Sequence, residues 1–218
     1  MQQYLLSVLI LLPVVGAIAL AAHGLAPYRR EAHYRWIALG VSALTFLLSL
    51  LLLAGGVGEA ATNEFKFVQD VPWIRALGAR YHVGVDGMSL WLVLLTTLLV
   101  PISVLSSWTA VEKRPLAFYT SILLLESAMI GVFVSLDLLV FYLFFEASLV
   151  PMFLLIGVWG GERRIYAAVK FFIFTAVGSL LMLVGIIALY YIHKNQAGFG
   201  TFDYTTLLAS LRSSQMVL

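Results

Sequence analysis

Long apolar runs broken by short polar links dominate the chain. Six such runs cover residues 4–22, 36–54, 90–108, 117–135, 138–159 and 166–192. Each approaches or exceeds the roughly 20 helical residues that a bilayer core requires. The pattern predicts an all-α polytopic membrane protein with six transmembrane helices. Residues 59–84 interrupt it with a polar excursion holding the short apolar pieces Phe65 to Val68, Val71 to Ile74 and Tyr81 to Val83. These predict a small β-hairpin outside the membrane between helices 2 and 3, although Pro72 interrupts one arm. Pro13, Pro101 and Pro151 fall inside apolar runs, where membrane helices tolerate them. Residues 193–218 read as a mostly polar tail with an amphipathic stretch at 204–211. The division is therefore 1–116 (helices 1–3 with the hairpin), 117–192 (helices 4–6) and 193–218 (tail).

Composition agrees with a membrane protein: 62% of the 218 residues are hydrophobic and 11% charged, against about 25% charged in soluble domains. No Lys or Arg precedes the first run, so the basic leader of a signal peptide is missing and the run reads as a retained helix. Cysteine is absent, which excludes disulfides, thiolate metal sites and iron–sulfur ligation. His23, His33, His82 and His193 are far apart in sequence and never spaced i, i+4, so no histidine metal centre is expected. There is no basic tract for nucleic acid and no haem, flavin or phosphate-loop motif. With the N-terminus outside, the inner links carry eight cations (Arg29, Arg30, Arg35, Lys113, Arg114, Arg163, Arg164, Lys170) and the outer segments five (Lys66, Arg75, Arg80, Lys194, Arg212). The positive-inside rule then places both termini outside.

Candidate chemistry lies where ionisable groups interrupt the apolar runs. Glu146 is the one ionisable acid or base within 138–159. Eight residues of helical rise put it roughly 12 Å deep. An acid at that depth costs about 2.5–3.5 kcal/mol on insertion scales and marks ion or proton handling by default; the alternative is a structural carboxyl bonded to a neighbouring helix. Glu126, in the fourth run, lies nine residues before Ser135, and Glu146 nine after Asp137. Antiparallel neighbours joined by that turn carry the two acids at similar depth; whether they face one another is open. Facing carboxylates in a low-dielectric slab could not both stay ionised. Glu126 reads equally as an interhelical hydrogen-bonding group beside Ser121 and Ser127. Pro151, five residues beyond Glu146, cannot bond the carbonyl of Ala147. That carbonyl would favour water or a polar partner beside the acid, or the proline serves packing alone. Lys170, one turn inside the sixth run, snorkels to the surface or serves as a charge partner or relay step. Asp137, Arg163 and Arg164 read as turn and topology residues, and Phe141, Tyr142, Phe144 and Phe145 as packing surface.

The segment from Asp137 through Glu146 and Pro151 to Met152, followed by Trp159-Gly160-Gly161, resembles the proton-pumping, antiporter-like membrane subunits of respiratory complex I, within them the subunit M type of NADH–quinone oxidoreductase. Val71-Pro72-Trp73-Ile74, Val85 to Leu90, Lys170 to Thr175 and Gly178-Ser179 agree with it. The resemblance implies a proton-translocating role for Glu146 and no redox cofactor in the chain. It implies other membrane-arm subunits as partners, lipid and protons around it, and a bacterial inner membrane as location. It also implies a fold of about fourteen helices in two inverted repeats, of which six helices are the N-terminal part, without the intramembrane lysines that pair with the glutamate. The competing expectations are a subunit of a multisubunit Na+/H+ antiporter or membrane-bound hydrogenase, which share the fifth-helix acid, and a truncated, non-transporting scaffold.

Overall fold

The structure, a computed structural model, describes residues 4–25, 31–55 and 65–215. Within them the helices are α1 (Leu5–Leu25), α2 (Glu31–Ser49, continued by a 3-10 segment Leu50–Gly55), α3 (Gly87–Ser106), α4 (Pro115–Val134), α5 (Leu138–Trp159), α6 (Arg164–Ala197) and α7 (Tyr204–Gln215). The first six, counting α2 with its 3-10 extension, are long and apolar enough to cross a membrane. The fifth has the bounds its apolar run predicts. The sixth does not end at 192: it continues to Ala197 and stops at Gly198, which has φ 80°, a left-handed conformation that glycine adopts without steric cost. His193 therefore belongs to the helix rather than to a tail, and α7 occupies the amphipathic stretch.

The predicted hairpin is present as β1 (Lys66–Ile74) and β2 (Ala79–Val85), paired antiparallel with Asp70 opposite His82 and Pro72 opposite Arg80. Pro72 is accommodated at a register irregularity, and a second irregularity lies between Lys66 and Gln69, where Phe67 has φ 55°. Residues 59–64 of the predicted excursion, like Arg29 and Arg30, lie outside the described residues. Ser7 of α1 ties the hairpin to the bundle: its hydroxyl donates to Gln69 Oε1 at 2.5 Å and meets the Tyr81 hydroxyl at 2.9 Å. The hairpin thus shares one face of the molecule with the α1 start and the α4–α5 turn.

α4 is central, packing on α1, α2, α3 and α5, while α5 lies between α4 and α6. Its burial reflects this: 56% of the α4 apolar window is buried, against 17% for α5 and 11% for α6. Three apolar clusters are buried among the described residues. Leu6, Leu9, Val93, Ile130 and Val134 belong to one near the hairpin; Ala17, Leu20, Val104, Tyr119 and Leu123 belong to a second; Ala79, Ile186 and Phe202 form a third, between the hairpin and α6. Gly131 of α4 permits a close α4–α5 approach, because a Cβ there would overlap the Phe144 ring. Trp36 and Trp108 meet edge to face, ring centres 4.9 Å apart.

A polar clasp holds the hairpin face. Asp137, buried, caps α5 by accepting from Leu139 N (2.9 Å) and Val140 N (3.2 Å), and also accepts from Arg80 N of β2 at 3.0 Å. It is thus an anchor as well as a turn residue. Next to it, residues 202–204 add backbone bonds: Leu138 N donates to Phe202 O and Tyr204 N to Leu136 O. Asp203 accepts from Thr205 Oγ1 and Thr206 N, and its other oxygen pairs with His82 Nδ1. On the exposed edge Arg80 pairs with Asp70.

The hydrogen bond to Asp203 raises His82 above its ordinary 6.5, against the opposing effect of burial. Burial pushes Asp203 upward, but the bonds from His82, Thr205 and Thr206 outweigh it and hold Asp203 below 3.8. The His82 contribution to stability is present in full below about pH 6.5 and is lost as pH rises through the raised folded value. The Asp203 contribution is present above about pH 3.8 and is lost as pH falls through the depressed value. At pH 6, Asp203→Asn should speed amide exchange in residues 79–85 about tenfold, the worth of one charge-assisted bond. The difference from the parent should shrink by pH 9; equal exchange at pH 6 would show that the pair does not hold the hairpin.

Candidate functional site

The residues around Glu146 follow from helical spacing. Tyr142 precedes it by one turn, which places both side chains on one face of α5. The Tyr142 hydroxyl interacts with the Glu146 carboxyl and with Ser179 of α6. Ser179 is buried and donates to Ala176 O at 2.9 Å. Glu146 itself is half-buried. It therefore lies one turn from Tyr142, whose hydroxyl also reaches Ser179 of α6, and well away from the ends of α5. Five residues on, Pro151 is buried inside α5. The proline leaves the Ala147 carbonyl without its helical donor, and Ala147 lines an apolar groove of about 610 Å³ between α5 and the hairpin strand segment Val71 to Trp73.

Glu126 occupies a different environment. It is fully buried on the α4 stripe Ile122, Glu126, Ile130, whose two isoleucines belong to different apolar clusters. Neither of its carboxylate oxygens has a hydrogen-bond partner among the described residues. The two acids are therefore not hydrogen-bonded to one another. The interhelical role suggested by Ser127 belongs to the serine alone, whose hydroxyl donates to Ile10 O of α1 at 2.6 Å. An ionised carboxylate left alone in such a place would cost several kcal/mol.

Lys170 is exposed on α6 and carries its Nζ 5.8 Å from the centre of the Tyr166 ring. Within this chain it is a surface cation, and the structure brings it to neither acid. In the aromatic run of α5, Phe141 stacks on Phe145 at 6.3 Å and Phe144 covers Gly131, whereas Tyr142, expected as packing surface, turns its hydroxyl to Glu146 and Ser179. Among the described residues no group of three or more His, Cys, Asp or Glu side chains could hold a metal ion. His23 and His33, ten residues apart in sequence, are nonetheless neighbours, with ring nitrogens 3.4 Å apart.

Two sets of polar residues were missed by sequence reasoning. The i, i+4 spacing of Tyr142 and Glu146 was available as a signal; their partner Ser179 was not, because it comes from another helix. The pairing of His82 with Asp203 spans 121 residues and has no local signature.

Residues 135–217 match the family described as NADH:quinone oxidoreductase/Mrp antiporter, TM. The chain is 47% identical over 210 residues to the NADH-quinone oxidoreductase subunit M of Rhodobacter capsulatus, covering 95% of this chain and 39% of that protein. It is 44% identical over 165 residues to the F(420)H(2) dehydrogenase subunit M of Methanosarcina mazei, covering 76% and 33%. Among solved structures, a chain of respiratory complex I from Thermus thermophilus with bound NADH superposes with TM-score 0.74 at 32% identity, covering 94% of this chain and 39% of that one. The chain thus spans about one-third to two-fifths of the length of these relatives.

If the unpartnered carboxyl of Glu126 serves no fold-holding role, Glu126→Leu should leave the bundle as stable or more stable, by about 1–3 kcal/mol. Thermal unfolding of the detergent-purified protein measures this. A substantial loss of stability would reveal a structural bond.

Proposed function

Since this chain belongs to the family of antiporter-like membrane subunits of NADH:quinone oxidoreductases and Mrp antiporters, we propose that it is part of the membrane arm of a proton-translocating NADH–quinone oxidoreductase. There it moves protons across the bilayer, coupled to electron transfer from NADH to quinone in other subunits. It contributes no redox cofactor. The Methanosarcina relative is named for F(420)H(2) dehydrogenase, so similar membrane subunits serve oxidoreductases named for different electron donors. The proposal places the chain in a bacterial plasma membrane, with the N-terminus and hairpin outside. The supporting observation is the distribution of Lys and Arg, eight on the inner links and five outside.

The single observation that carries the reading is Glu146, deep in α5 and grouped with Tyr142 and Ser179 at the α5–α6 seam. Its mechanism is electrostatic. A cation that approaches the carboxylate favours release of the proton, and its withdrawal favours uptake. Two unit charges 4 Å apart interact by about 4 kcal/mol at an effective dielectric of 20. Moving one charge through 100 mV costs about 2.3 kcal/mol. Displacement of one cation by a few ångströms is therefore enough to load and unload the site against a membrane potential. Tyr142 supplies a hydroxyl through which the proton can pass and holds the carboxyl toward α6. Glu126 is a second proton-holding group inside the α1–α4 bundle. Lys170, exposed on α6 over the Tyr166 ring, has no step in this chain.

In the complete subunit within its assembly, Glu146→Gln should abolish proton translocation coupled to NADH oxidation, measured in proteoliposomes. Tyr142→Phe should slow translocation about tenfold, the worth of one hydrogen bond, without lowering the amount of assembled complex. An unchanged proton-to-electron ratio in the Glu146→Gln variant would reject the role of this acid.

A further inference from the structure

On the face opposite the hairpin, a groove of about 660 Å³ runs along α4 between α1 and α5. Its walls are apolar, with Ala21 from α1, Leu116 and Leu124 from α4 and Leu154 from α5. One end is polar and holds Arg114 and Tyr34. Thr120 also lines it, and the buried Thr120 Oγ1 has no hydrogen-bond partner among the described residues. Gly24 lets α1 close on α4 at the groove, since a Cβ there would overlap the Leu116 side chain. The cleft is thus amphipathic along its length: hydrocarbon toward the bilayer centre and a guanidinium at the surface.

The surrounding charge is cationic. The Trp159 indole donates to Lys113 O at 2.8 Å, which brings the α5–α6 turn with Arg163 and Arg164 beside the α3–α4 turn with Lys113 and Arg114. The same two turns carry two acids, Glu112 and Glu162. Among the described residues the ion pairs are Arg80–Asp70 and His82–Asp203, both on the hairpin face. Arg114 is exposed at the mouth of this cleft and forms no ion pair among the described residues.

From the fit of apolar wall, cationic mouth and volume, we infer that the groove holds an acyl chain of an anionic phospholipid from the leaflet on this face, with its phosphate against Arg114. Basic sites between transmembrane helices take anionic headgroups in this way. Its volume of about 660 Å³ lies within the roughly 300–1,000 Å³ of small-ligand sites. The inference is independent of the proton-transfer reading.

The test uses the complete subunit in its native assembly, reconstituted into nanodiscs with phosphatidylglycerol carrying a photoactivatable acyl chain. Label should appear on residues 116–124 and on the α5 peptide holding Leu154. Arg114→Gln should lower it about fivefold, the worth of one cation at a lipid surface. Leu124→Trp, which fills the groove, should exclude the label, whereas Arg75→Gln on the hairpin should not change it. Equal labelling by phosphatidylcholine, or labelling indifferent to both groove substitutions, overturns the assignment. So does cross-linking of the groove to a polypeptide in place of lipid.

Discussion

Everything deep in α5 depends on how its first turn is held. A helix begins with backbone N–H groups that have no partner of their own, and at a bilayer surface these must be satisfied by side chains or water. Asp137 satisfies two of them and, with its second oxygen, takes an amide from β2. One carboxylate therefore fixes where α5 starts and which way the hairpin lies over it. The backbone bonds from Leu138 to Phe202 and from Tyr204 to Leu136 bring the chain back from the end of α6 to the same point. The depth of Glu146, nine residues further on, follows from this anchor.

The two membrane carboxyls show how environment divides similar groups. Glu146 sits between helices, half-buried, with a tyrosine on its own face and a serine from α6. Glu126 sits between two apolar cores with no partner among the described residues. The first acid has a hydroxyl within reach; the second is isolated among apolar side chains.

The six apolar runs, the hairpin and the acid within α5 were legible because each has a local signature: run length, short apolar pieces around a turn, and one charge among hydrophobic neighbours. The bounds of α5 were legible for the same reason, since Asp137 and Gly160 bracket it. The end of α6 was not, because the Tyr190–Tyr191–Ile192–His193 stretch continues the helix beyond the apolar window and only Gly198 terminates it. Contacts such as Ser127 to the Ile10 carbonyl or His82 to Asp203 join residues more than a hundred positions apart and leave no periodicity to read. Lys170 could be read two ways, and its exposure on α6 follows from the rotation of that helix, which no local pattern sets.

Pro151 gives α5 an uneven stiffness. Above it the helix is fastened by Asp137 and by the Phe144 ring lodged against Gly131. Below it the Trp159 indole moors the helix to the Lys113 carbonyl. Between these moorings one rung of the backbone ladder is missing, and it is the rung at Ala147, next to the acid. The helix is therefore least braced beside Glu146, between two firmly moored ends.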